Sequence, residues 1–319
     1  MSSAPPLFIV GCSRSGTTLL RLMLTQHPDL HIPPESEFLL SLYDQAELYG
    51  TFEAPHQRWF FIRDLQTTEV SMGAYAFPIF DLSIHAAETA LAERAPTDFA
   101  GAAAALFEAS AHEHGKTRWG DKTPHYVRHI EWLSDAYPEA QFIHMIRDGR
   151  DVARSRVEAG FTSSMRRSAL HWKEEVQSGR DARQHLSDHR YHELFYEDLV
   201  HNPSSVLREV CGWIDLNYTE HLLTFDRTGD ASVPDEHAHL HENVTNAVDP
   251  SRAQAWRTSL PSRDVADVEA VAGDLLRDLG YDLTGARVPL WLRVVRGLYR
   301  NGRAQARAVV QTLKRLGIV

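Results

Sequence analysis

Leu7-Phe8-Ile9-Val10-Gly11-Cys12-Ser13-Arg14-Ser15-Gly16-Thr17-Thr18-Leu19-Leu20 decides how the chain folds. Four apolar residues ending at a glycine read as a strand buried on both faces. From residue 15 to residue 26 the pattern turns helical, with Leu19, Leu22 and Met23 on one face. Residues 11–18 therefore form a strand-to-helix turn. The amides of such a turn, with the positive end of the helix behind them, hold an anion without any special side chain. Gly16 lets the backbone approach that anion closely.

The same grammar recurs downstream. Residues 142–146 read as a second buried strand leading into a helix over 148–156, and residues 191–195 as a third strand followed by Tyr196-Glu197-Asp198-Leu199 and a helix over 203–213. Periodicity predicts further helices over 99–114, 125–136, 165–186 and 264–279. Short strands alternating with helices imply an α/β fold, a mostly parallel sheet flanked by helices. Residues 1–286 read as one domain and residues 287–319 as an appendage to it.

Composition narrows the function. Of 319 residues, 43% are hydrophobic and 24% charged, which is globular rather than disordered. Cys12 and Cys211 are the only cysteines, so no disulfide framework is implied and a reducing compartment is expected. The N-terminus has no basic region before its short apolar run, and no run of about 18 apolar residues exists, so the sequence reads as cytoplasmic. The net charge is −10, yet residues 287–319 hold eight Lys or Arg and no acid, leaving 25 basic against 43 acidic residues in the body. Such a body argues against nucleic acid as a partner. In the tail, apolar residues at 291, 294, 295, 298, 309, 313 and 316 recur at helical spacing beside a stripe of Arg293, Arg296, Arg300, Arg303 and Arg307. A basic amphipathic helix of this kind docks on the protein's own acidic body, on a second subunit in a homodimer, on a membrane surface peripherally, or on an acidic carrier protein.

Several side chains are placed for chemistry. A nucleoside-triphosphatase loop reads G-x-x-x-x-G-K-[ST]; here Thr17 holds the Lys position and Arg14 sits inside the loop. Arg147 ends the second strand, and Ser155 follows eight residues later, about two helical turns. Arg-Asp-Gly-Arg-Asp alone reads better as a surface ion-pair cluster and gains its meaning only from the first loop about 130 residues earlier, and Arg150 and Arg154 read as solvated helix charges. Glu35 falls 21 residues after Arg14, at the end of an apparent strand over 31–35, and on an extended segment Glu37 would point to the same side. Lys122, in Trp119-Gly120-Asp121-Lys122-Thr123-Pro124, is one of four lysines against 29 arginines, with His125 beside it. His237, His239 and His241 are spaced for one strand face but lack an accompanying Cys or carboxylate set, so they read as an acceptor-pocket or solvated loop rather than a metal site. Cys12 reads as a small packed residue.

G-x-x-R-S-G-T-T-L-L followed by H-P-D-L-x-x-P-P-E resembles the 5′-phosphosulfate-binding segment of sulfotransferases that use 3′-phosphoadenosine 5′-phosphosulfate (PAPS), in a bacterial branch similar to the tyrosylprotein sulfotransferases. The resemblance runs over residues 7–257, with its specific motifs at 11–35, 119–124 and 147–155. It implies a P-loop NTPase-like sulfotransferase fold. It implies that Arg14, Ser15, Gly16, Thr17 and Thr18 hold the 5′-phosphate and the bridging oxygen, that Arg147 and Ser155 clamp the 3′-phosphate, and that Tyr196 lies near the nucleotide. Glu35 would be the general base, with Glu37 and His125 as competitors, and Lys122 would stabilise charge at the transferred sulfuryl group. Residues 251–257, with Trp256, resemble a loop that folds over the cofactor. No γ-phosphate is involved, so no metal ion is required. The acceptor is a hydroxyl on a natural product, glycan, lipid or peptide tyrosine. Two rivals remain: a P-loop kinase-type phosphotransferase, which would need a loop Lys and a Mg²⁺-holding Asp, and a non-catalytic nucleotide-binding protein of the same fold, in which loss of Glu35 or Lys122 would be expected.

Overall fold

A computed structural model describes residues 4–70, 75–225 and 248–285. The basic stretch over 287–319 and the His237, His239 and His241 group lie outside the described residues. Five strands, β1 (Leu7–Gly11), β2 (Leu30–His31), β3 (Arg118–Lys122), β4 (Gln141–Ile146) and β5 (Tyr191–Phe195), form one sheet in the order β2-β3-β1-β4-β5. Every pairing is parallel; Phe8 stands opposite Asp121 on one side and Phe142 on the other.

The helices are α1 (Thr17–Leu24), α2 (Phe38–Ser41), α3 (Ala46–Tyr49), α4 (Pro55–Thr67), α5 (Ile84–Arg94), α6 (Phe99–Glu113), α7 (Ile130–Ala136), α8 (Gly149–Glu158), α9 (Met165–Arg183), α10 (Tyr196–His201), α11 (Pro203–Trp213), α12 (Trp256–Ser259) and α13 (Ser262–Asp278). The unbroken apolar run of β1 follows from helices on both faces of the sheet. Alternate residues serve alternate cores. Phe8 and Val10 join Phe107, Trp119 and Phe142, with residues of α4, α5 and α6, in one cluster, while Leu7 and Ile9 join Leu20, Met145 and Leu207 of α11 in the other.

The described residues cluster into two compact units, one within 4–147 and 174–253 and the other within 148–173 and 254–285. The sheet belongs to the first. In the second, α8 packs on α13 around Ala153, Ala169 and Val268. Here one expectation is corrected. Arg150 is not a solvated helix charge: it is 1% exposed, paired with Asp148 at 2.8 Å and Glu269 at 2.9 Å, and its guanidinium lies 3.8 Å from the Trp256 ring centroid. Trp256 donates its own N–H groups to Asp151 and Asp148, so it is a buried anchor of this unit.

Three local differences have physical causes. The strand expected over 31–35 stops at His31, because Pro33 and Pro34 have no N–H for the ladder. Glu37 therefore does not share an extended side with Glu35; its φ of 50° puts it in a turn that starts α2. The helix expected over 125–136 is split, with a 3₁₀ turn at Pro124–Arg128 and α7 beginning only after His129, whose φ is −127°.

Candidate active site

The carboxyl end of each strand carries a candidate residue. The loop of Arg14 follows β1, Glu35 follows β2, Lys122 is the last residue of β3, Arg147 follows β4 and Tyr196 follows β5. Because the sheet is parallel, these five ends lie along one edge. β1 sits where the strand order changes direction, the place where open α/β sheets bind ligands.

The β1 loop is shaped by two unusual backbone conformations. Arg14 has a φ of 76° and Gly16 a φ of 99°. Any side chain at Gly16 would run into the ring of Tyr196, so glycine is demanded both by conformation and by close approach. The loop closes through Ser15 N–H to the Cys12 carbonyl at 3.1 Å, and no side chain caps α1 at its N-terminal end. Ser15 is fully buried, and its hydroxyl has no hydrogen-bond partner among the described residues. Cys12 is buried, as expected of a packing residue.

Lys122 is the centre of the site. Its side chain is 3% exposed, and its ammonium forms an ion pair with Glu35 and donates to the Thr18 hydroxyl at 3.2 Å. Three sequence motifs about 20 and 90 residues apart thus meet at one nitrogen. Burial pushes the Lys122 ammonium below the usual lysine range, the Glu35 carboxylate works against that, and the buried Arg21 beside it adds to the depression. Glu37 instead faces His125, at 3.9 Å.

Arg147 fixes the opposite side of the loop. Its guanidinium donates to the carbonyls of Arg14 at 3.2 Å and Arg252 at 2.7 Å, and lies 4.2 Å from the centroid of the Tyr196 ring. Tyr196 is buried between Gly16 and Arg147. Ser155 lies on α8, within the second unit.

Sequence reasoning missed a buried polar layer next to Lys122. Arg21, on the apolar side of α1, donates to the Ile32 carbonyl at 3.3 Å. Asp121 is fully buried, and burial pushes its carboxyl up to about 7. The Ser36 and Thr123 hydroxyls are near enough to oppose that rise, though neither reaches full hydrogen-bonding geometry with it. The Ser36 hydroxyl bridges those of Thr123 and Tyr126. The available signal was Asp121 itself, an acid within a Trp-Gly-Asp-Lys segment now seen to be a strand buried at every residue.

A family model described as "Sulfotransferase family" matches residues 5–220, a span that holds all five strands. The chain is 24% identical over 292 residues to protein-tyrosine sulfotransferase A of Caenorhabditis elegans, covering 88% of this chain and 68% of that protein. It superposes on the sulfotransferase domain of the Synechococcus PCC 7002 olefin synthase with a TM-score of 0.63 and 26% identity, covering 88% of this chain and 96% of that one. The sulfotransferase domain from the curacin biosynthetic pathway, at 23% identity and a TM-score of 0.58, covers 88% and 100% and shares the fold. A parallel sheet whose first loop has traded the nucleotide-binding Lys for Thr17, matched over 216 consecutive residues, leaves one assignment: the chain belongs to the sulfotransferase family.

Proposed function

We propose that the chain transfers a sulfuryl group from PAPS to an acceptor hydroxyl with Glu35 as general base. The meeting of Lys122, Glu35 and Thr18 beside the β1 loop carries this reading. On it, the loop amides with Ser15, Gly16, Thr17 and Thr18 bind the 5′-phosphosulfate. The buried Ser15 hydroxyl fits such an acceptor of hydrogen bonds. Glu35 takes the proton of the acceptor hydroxyl as that oxygen forms a bond to sulfur. The bond from sulfur to the 5′-phosphate oxygen breaks in line, leaving 3′-phosphoadenosine 5′-phosphate (PAP) and a sulfated acceptor. Lys122 and Arg14 stabilise the charge that gathers on the sulfuryl and leaving oxygens. Arg147, a fork suited to phosphate, takes the 3′-phosphate beside Tyr196. None of these roles calls for a metal ion.

The relative from Caenorhabditis elegans is named for protein tyrosine, and a phenolic hydroxyl is accordingly the first acceptor to test, followed by secondary alcohols of small molecules. Thermal shift distinguishes the donor first. PAP should raise the melting temperature by several degrees at millimolar concentration, while ATP with Mg²⁺ should not; the reverse order would favour the kinase-type reading and refute this one. Among the described residues no helix is long and apolar enough to cross a membrane.

A further inference from the structure

The loop that carries Glu35 and the loop that carries Lys122 are joined residue by residue. Glu35 pairs with Lys122, the next residue on one loop bonds the next on the other, and Glu37 faces His125. The middle connection is Ser36 N–H donating to Thr123 Oγ1 at 3.2 Å. Around it, Ser36 Oγ lies 3.4 Å from Thr123 Oγ1 and 3.2 Å from the Tyr126 hydroxyl, which also accepts the Leu39 N–H at 3.2 Å. Leu39 N–H is one of the first-turn donors of α2 that the helix itself cannot satisfy. Ser36, Thr123 and Tyr126 are all fully buried.

We propose that Ser36, Thr123 and Tyr126 are positioning residues that hold the Glu35 carboxylate against Lys122 at the distance transfer requires. Ser36 and Thr123 are each covalently next to a member of the pair, so a slip between them passes directly into the Glu35–Lys122 separation. The Pro33-Pro34 segment has left the sheet, and no strand ladder fixes Glu35 there. The hydroxyl cluster supplies the registration that a ladder would have given. Its cost is low, since every buried hydroxyl in it has a partner. The inference rests on the sulfotransfer reading for its catalytic consequence but not for its geometry.

The test uses the full chain with ¹³C-labelled lysine. Only four lysines are present, so the Lys122 ε-carbon signal can be assigned by Lys122→Arg. Glu35→Gln marks where that signal falls when the carboxylate is gone. Thr123→Val and Tyr126→Phe should each move the Lys122 signal toward the Glu35→Gln position. They should lower PAP release from PAPS, with a tyrosyl peptide as acceptor, by about 10- to 100-fold, the effect of small misplacements. PAP affinity should stay within about twofold, because the nucleotide contacts lie elsewhere. Thr123→Ser, which keeps the hydroxyl, should restore both signal and turnover. A Lys122 signal left at its wild-type position in both hydroxyl-deletion variants, with only the melting temperature lowered, would overturn the proposal. Full turnover in Glu35→Gln overturns the general-base reading instead, and the NMR arm, needing no acceptor, still decides the geometry.

Discussion

Arg147→Ala separates a phosphate clamp from a structural strut, because the side chain is placed to be both. In the structure its fork supports two carbonyls, of Arg14 and Arg252, and its plane covers Tyr196. Losing two charged-donor bonds and a cation–π contact loosens the β1 loop for any nucleotide, a shared loss of about 1 kcal/mol, or fivefold, after rearrangement and hydration are allowed for. Losing a charge-assisted contact with a 3′-phosphate costs about 1.5–3 kcal/mol more, and falls only on ligands that carry that group. Calorimetry with PAP and with 5′-AMP reads the two terms apart. PAP should weaken by about 10- to 150-fold beyond whatever 5′-AMP loses. Arg147→Lys keeps the charge without the fork and should fall between. Equal losses for PAP and 5′-AMP would refute the clamp and leave Arg147 as a strut of the loop.

Two further outcomes are expected. Glu35→Gln should fold, bind PAP normally and lose about 10²–10⁴ in turnover, whereas Glu37→Gln should stay near wild type; the opposite pattern in a PAP-release assay would move the base to Glu37. Asp121→Asn should change the pH dependence of stability. The carboxyl titrates at about 7 when folded against 3.8 as its ordinary value, so its favourable contribution is complete below about pH 4 and lost as pH rises through 7. The asparagine variant should therefore gain on wild type between pH 4.5 and 8, by at most about 3 kcal/mol. His31 and His144, held down to about 3 chiefly by burial, slope the other way but cancel in the difference. Urea unfolding at the two pH values would show this, and a difference that stays constant would refute it.

The parts of the fold legible in the sequence were those with a local signature. β1, β4 and β5 are runs bounded by helix starts, and α6, α11 and α13 carry apolar periodicity or end signals; all lie within two residues of where periodicity puts them. β3 was invisible for the same reason turned around. Arg118-Trp119-Gly120-Asp121-Lys122 has no apolar run, and tertiary partners hold its buried cations: Arg118 donates to the Ile214 carbonyl and to Gln141, both at 2.6 Å, and Lys122 pairs with Glu35. Periodicity cannot see a bond made across 96 residues. The individual candidates Glu35 and Lys122 were legible through resemblance, but their pairing and the hydroxyl cluster beside them were not. Ser36, Thr123 and Tyr126 are common residues whose meaning lies wholly in where the two loops meet.

The pairing also bears on why a base and a cation would be stored together. A body with 18 more acidic than basic residues gives an anionic donor no general attraction, so the binding charge must be concentrated at the strand ends. Concentrating it has a cost, since burial, with Arg21 nearby, pushes the Lys122 ammonium below the usual lysine range. Glu35 opposes that depression. On the proposed reading the same contact holds the base beside the cation that stabilises the transferred charge. A sulfuryl group arriving beside Lys122 competes for that ammonium and sets negative charge near Glu35. On that reading the pair links donor binding to the freeing of the base. It also explains why the separation between the two loops, rather than the identity of Glu35 alone, is the quantity the fold has to control.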